Sequence, residues 1–205
     1  MCIVKPYLKA RKSSKKILNS GKKANRSSKR TDVLNKEMKS FLEKNYFKQK
    51  DGYTIKCEEA IPCSYGRSFK VDVLVYKDEE LFMLFHLKAI ESSYNKNRNN
   101  YGGIPIGETS RVYDHKSVPK NLHSVWLDWI PNSIPVYNKN GDIMHWESPN
   151  PADLSMAEQR WNKTLEKDNS SVSYIKIRFD YDSKNHTAKN ISGFNKLNNY
   201  LRSIV

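Results

Sequence analysis

The sequence predicts a mixed α/β domain, and three features of its 205 residues predict it. "FKVDVLVY" and "LFMLFHLKAI", residues 69–76 and 81–90, are two β-type runs joined by the polar turn "KDEE". Helical stripes flank them, with apolar residues at 34, 38, 41 and 42 and again at 194, 197, 200, 201 and 204. "VSYIKIRFDYD" is a long alternating strand close to the C-terminus. The length suits one domain with a sizeable core.

Order is expected from Thr31, a helix-capping residue before "DVLNKEMKSFLEKN". Asp51-Gly52 turns the chain into the strand "YTIKC", and a loop punctuated by Pro62 and Gly66 leads to residues 69–76. The 81–90 run is apolar on both faces, as in a central strand covered from both sides. Residues 92–115, interrupted by Gly102-Gly103 and Pro105, read as part helix and part loop. "SVWLDWI" is a strand, and "IPVYN" with "DIMHWES" forms a hairpin around Asn140-Gly141. Asn150-Pro151 caps a helix, "ADLSMAEQRWNKTLEK", with Pro in its first position. Trp126 and Trp129 fall on opposite faces of their strand, which predicts core packing for both.

Charge is distributed unevenly. Residues 1–30 hold eleven Lys or Arg and no acid, leaving 25 cations against 22 acids in the remainder. The excess therefore predicts a disordered basic arm over 1–30, suited to following phosphates, ahead of one domain over 31–205. A transit peptide, a nuclear-localisation tract or mere compositional bias accounts for the same run. Cys2, Cys57 and Cys63 form no CxxC and no even framework, which fits a reduced interior. With no apolar stretch of membrane-spanning length, the expectation is a soluble protein of the cytoplasm, or of the nucleus in a eukaryote, with no membrane partner.

The 81–90 run ends in "HLK", placing His86 and Lys88 on one face, with Phe82 and Leu84 expected beside them. Asp72 lies on the preceding strand. In an antiparallel hairpin it reaches the face of His86 only if the turn at "KDEE" is odd or one strand carries a bulge. A tight turn at Asp78-Glu79 with a regular ladder sets Asp72 against Phe85 instead.

Helix, three strands, a partly helical segment and a strand, with Asp72 on the second strand and x-x-Lys closing the third, resemble the PD-(D/E)XK nuclease superfamily over residues 31–130. The resemblance implies a restriction-endonuclease-like core of α-β-β-β-α-β order, a mixed sheet flanked by helices; residues 131–205, which it does not cover, read as an α+β extension. It implies a divalent-metal-dependent DNA endonuclease using Mg2+, with Mn2+ as substitute. Hydrolysis of a phosphodiester needs charge neutralised at a phosphoryl oxygen and an oriented, activated water. Asp72 and the Leu87 carbonyl would hold the metal, and Lys88 would activate the water. Glu37, beside the helical stripe, is preferred over Glu43 as a further catalytic and metal-ligating acid, with Glu58 and Glu59 as competitors. The chain departs from the family at His86, which stands where Glu or Asp is usual. Imidazole suits Mg2+ poorly, so His86 accepts a hydrogen bond from a metal-bound water, serves as a general base or marks a nuclease fold without catalysis.

The segment after Lys88 supplies the DNA-contact candidates Ser92, Ser93, Asn95, Asn97, Arg98, Asn99 and Asn100, joined by Arg111. Glu108 and Arg111, one helical turn apart, form either a site pair or a surface ion pair. Double-stranded DNA is the expected partner, and a homodimer would supply two sites for its two strands. Two alternatives stand beside this reading: an inactive nucleic-acid binder on the same fold, or a ribonucleoprotein component acting through the basic arm.

Overall fold

The computed structural model describes residues 2–19, 28–64, 68–119, 121–138, 142–168, 171–182 and 184–205. Two helices, α1 (Lys5–Asn19) and α2 (Ser28–Asn45), precede the antiparallel strands β1 (Tyr53–Ile61), β2 (Phe69–Lys77) and β3 (Glu80–Ala89). Helix α3 (Tyr94–Tyr113) crosses over to β4 (His123–Pro131), which runs parallel to β3. A separate hairpin, β5 (Ile134–Tyr137) and β6 (Ile143–Glu147), is followed by α4 (Pro151–Asp168). Strand β7 (Val172–Asp182) then pairs parallel with β4, β8 (Thr187–Ser192) returns antiparallel to it, and α5 (Phe194–Ile204) ends the chain. The strand order is β1-β2-β3-β4-β7-β8, a six-stranded mixed sheet flanked by helices.

Strand β3 is central, as its two apolar faces require. One face carries Val73, Phe85, Leu127, Trp129 and Ile177 against Tyr7, Met38, Phe41 and Leu197 of α1, α2 and α5. The other carries Leu74 and Leu84 against Val112 of α3 and the following Leu122. Trp126 on that face donates its indole N–H to Thr109 of α3, while Trp129 on the opposite face donates to the Ile3 carbonyl. Among the described residues no helix is long and apolar enough to cross a membrane.

The N-terminal expectation is corrected. Residues 5–19 are not a disordered arm but α1, and Ile3, Val4, Tyr7 and Ala10 are buried in the main core. Tyr7 and Ala10, three residues apart, share one side of α1, and Ile3 and Val4 enter the core from the turn just before it. Of the rest of the predicted arm, residues 28–30 begin α2, while residues 1 and 20–27 lie outside the described residues. Helix α2 begins three residues before Thr31, so Thr31 is not its cap. Helix α3 is continuous through Gly102, Gly103 and Pro105, where part loop was expected. The α4 start is as read, with the Asn150 side chain accepting the Ala152 N–H at 2.9 Å.

The hairpin parity resolves in an unexpected way. The turn is the tight two-residue one, with Lys77 paired to Glu80 and left-handed φ at Asp78 (48°) and Glu79 (71°). Tyr76 pairs with Leu81 but Val75 pairs with Met83, so Phe82 is an extra, bulged residue. Beyond it Leu74 faces Leu84 and Val73 faces Phe85, and one step further Asp72 comes level with His86. Phe82 itself leaves the expected face and packs near Phe47 and Tyr53.

Deleting Phe82 should therefore exchange the faces of Phe85 and Leu87 with those of His86 and Lys88 and abolish folding. Deleting Phe82 while inserting Gly between Asp78 and Glu79 restores every pair beyond the turn, and should recover most of the lost cooperative melting by circular dichroism. Equal melting of the single deletion and the parent would contradict the bulge.

Candidate active site

A cavity of about 350 Å³ opens where β2 and β3 meet α1, α2 and α3, and Asp72, His86, Leu87, Lys88 and Glu108 all line it. Ala10 of α1 and Thr31 of α2 form part of its wall. The bulge puts Asp72 and Lys88 on this common side. The Leu87 N–H donates to Asp72 Oδ2 at 2.8 Å, which fixes the carboxylate against β3. Burial raises the Asp72 pKa, while the Leu87 N–H, a hydrogen bond from Asn35 and the charge of Lys88 oppose that rise.

Asn35 is wholly buried and also donates to Glu58 Oε1 at 3.2 Å, so one side chain ties two carboxylates together. Glu58 has a left-handed φ of 58° within β1, and its flanking pairs, Cys57 with Val73 and Glu59 with Val71, set it level with Asp72. Such a conformation costs a non-glycine residue on the order of 1 kcal/mol. Lys70 neutralises Glu58 at 2.5 Å, leaving Glu58 a supporting group. Its rival Glu59 is held by Lys56 at 3.0 Å and by the Tyr76 hydroxyl.

Glu37 is not brought to the cavity. It forms an ion pair with Lys9, because its side of α2 faces α1. Glu43 pairs with Lys39 on the helix surface. The acid that does line the cavity is Glu108, from α3 on the far side. Burial, and then the charge of Asp72, raise the Glu108 pKa, while Arg111 and Lys88 lower it. Its spacing to Arg111 drew attention to it in the sequence, but no local pattern says that α3 aims it at Asp72.

His86 is 5% exposed and stacks on Trp126, with ring centroids 3.9 Å apart and planes within 9°. Phe69 lies at 5.6 Å from the same imidazole. Burial lowers its pKa from 6.5 to about 3, so the ring is neutral at physiological pH. A general base titrating near neutrality is therefore not what this environment makes.

The same depression has a consequence for stability. Below pH 6.5 the unfolded chain binds a proton that the folded His86 refuses until about pH 3, so stability falls as the pH drops through that window. The parent should lose about 3 kcal/mol more than His86→Phe between pH 7 and pH 4 in urea titrations. Parallel losses in the two chains would contradict the buried neutral ring. Carboxylates with raised pKa values act in the opposite direction, but equally in both chains.

The donor set can be tested against a divalent ion. Among the described residues no group of three or more His, Cys, Asp or Glu side chains is placed to hold a metal. Asp72 and Glu108 nonetheless face one cavity, burial raises both pKa values and the charge of Asp72 raises that of Glu108 further, an imbalance a cation would relieve. Mg2+ accepts such a set, since it binds through one or two carboxylates and keeps several waters.

The DNA-contact candidates are dispersed. Ser92 and Ser93 precede α3, and Asn95, Asn97, Arg98, Asn99 and Asn100 fall in its first turns. The Asn95 N–H donates to Glu147 Oε2, and the Asn97 side chain donates back to the Ser93 carbonyl. The side chains of residues 98–100 lie outside those described. From Asn95 to Glu108 the helix rises about 20 Å at ~1.5 Å per residue, so these positions flank the cavity at a distance. Arg111 lies over the Phe69 ring, 5.7 Å from its centroid, and donates to Cys63 Sγ.

No protein-family model matches the sequence, and no curated protein matches it. Among solved structures, an XisH family protein from Nostoc punctiforme PCC 73102 is similar, at 12% identity and a TM-score of 0.31, over 70% of this chain and 90% of that one. A likeness that loose bears on no activity.

Proposed function

We propose that the chain is a divalent-metal-dependent DNA endonuclease with a restriction-endonuclease-like core running from α2 to β4. One observation carries the reading: an extra residue in β3 brings Asp72 and Lys88 to the same cavity. Asp72 and Glu108 would hold Mg2+ or Mn2+, with Glu108 in the place first expected of Glu37. The ion would supply charge neutralisation at the phosphoryl oxygen and a more acidic bound water. Lys88 would orient the attacking water and offset charge on the phosphate. Leu87 would hold Asp72 through its N–H, Asn35 would fix the carboxylate's other contacts, and His86 would be a neutral wall stacked on Trp126. Water oxygen adds to phosphorus, the bond to the leaving sugar oxygen breaks, and that oxygen takes up a proton.

A second reading, nucleic-acid binding without cleavage, is favoured by the neutral stacked imidazole standing where a third acid is usual. Supercoiled plasmid incubated with Mg2+ or Mn2+ separates the two. Nicking or linearisation that Asp72→Asn and Lys88→Met both remove supports the nuclease. Binding without cleavage in either metal supports the second reading, and cleavage surviving both substitutions removes the site from either.

A further inference from the structure

The body of the fold carries another cavity, of about 740 Å³, between the first turn of α3 and the outer side of α4. Tyr94 and Trp161 contribute rings to it, and Arg160 and Lys163 contribute cations. Trp161 rests with one side on the Trp126–Tyr174 cluster, which holds the indole in place while it lines the groove. Arg160 and Lys163 are both exposed and stand one helical turn apart, on the same side of α4. Asp153 is the acid among the described lining residues, so cations outnumber it. Anchored aromatic surface beside paired cations is the chemistry that recognises unstacked bases and their phosphates.

We propose that this groove binds a single-stranded stretch of nucleic acid, a base stacking on Trp161 and the phosphates meeting Arg160 and Lys163. The inference rests on the nucleic-acid reading of the Asp72 cavity and extends it: helix α3 spans both places, Asn95 lining the groove and Glu108 the cavity. The two places lie about 20 Å apart along α3.

Fluorescence anisotropy with a labelled twelve-residue oligothymidine, on the full chain in EDTA, tests the groove without any cleavage. Arg160→Ala/Lys163→Ala should weaken binding roughly tenfold and reduce the slope of log affinity against log salt by about 1.4. Trp161→Leu should weaken it roughly fivefold or more, whereas Trp161→Phe, which keeps a stacking ring, should stay within about twofold. Cleavage failing in every metal leaves these results standing and retires only the nuclease. Equal affinity and salt slope for the parent and the double variant overturn the groove even if plasmid is cut. Failure of the parent to bind the oligonucleotide, or binding unchanged by Trp161→Leu, overturns it as well and points to a different occupant.

Discussion

Asp72→Asn is expected to reduce DNA cleavage by about a thousandfold or more while leaving the melting temperature unchanged or higher. The two effects have one cause. Burial and the nearby Glu58 charge raise the Asp72 pKa, so its ionised form is the less favoured one in the fold. Above the folded pKa the carboxylate therefore costs stability, and the neutral amide removes that cost while its carbonyl can still accept the Leu87 N–H. Below about pH 4 the aspartate is itself protonated and the stability difference should vanish. The proposed cleavage would need what the amide lacks, a negative charge on the cavity wall shared with Glu108 and Lys88. Loss of charge stabilisation and of a metal ligand is worth on the order of 10³ in rate. Lys88→Met, at an exposed side chain, should reduce cleavage about a hundredfold or more with little change in melting. A variant at either position that melts much lower would mean that the residue is structural. One that cuts at the parental rate would remove it from the site.

Arg11→Ala should cost about 3–5 kcal/mol, an effect on stability rather than chemistry. Arg11 donates to Glu91 Oε2 at 3.0 Å, to the Glu91 carbonyl at 3.2 Å and to the Tyr137 hydroxyl at 3.1 Å. The Glu91 side chain is only 4% exposed, so removing the guanidinium strands a carboxylate away from water. At ~2–4 °C per kcal/mol for a chain of this size, the melting temperature should fall by about 10 °C. Arg11→Ala/Glu91→Gln should recover a good part of the loss, because the amide is far cheaper to bury than the charge. A change under 1 °C in the single variant would show that α1 is not anchored this way. The position of the pair gives it further reach: Glu91 follows Lys88 by three residues, and Tyr7 of α1 donates to the intervening Ile90 carbonyl. Helix α1 thus steadies the chain immediately after the candidate lysine.

What the sequence disclosed, and what it withheld, follows from the range of the forces involved. The β2, β3, β4 and β7 runs, the Asn150-Pro151 start of α4 and the Leu197/Leu201 stripe of α5 are local patterns, and they were legible. The pairing of Asp72 with Lys88 was legible only as a condition, because turn length and bulge trade against each other and neither "KDEE" nor "LFM" marks the extra residue. Helix α1 was hidden by its own lysines. The four apolar positions Ile3, Val4, Tyr7 and Ala10 are readable in isolation, but eleven cations dominated the composition. Glu37 was preferred from its angle on α2, which says how far it lies from the apolar stripe but not that α1 covers that side. Glu108 and Asn35 reach Asp72 through tertiary packing of α3 and α2, a relation that single-segment periodicity does not contain. His86 stood out in the sequence as the departure from the pattern the chain resembles. Its neutrality, however, comes from burial, to which Trp126 on the neighbouring parallel strand contributes a stacked ring.

The extra residue at Phe82 also bears on how this hairpin tolerates heritable change. Thirteen residues separate Asp72 from His86: five facing pairs, the two turn residues and one surplus. An odd total satisfies the geometry wherever the surplus lies, so a relative with a three-residue turn and no bulge would present the same groups to the same cavity. Substitution can thus roam widely along both strands. A gain or loss of one residue turns the site into the core and the core into the site, and only a second length change nearby undoes it.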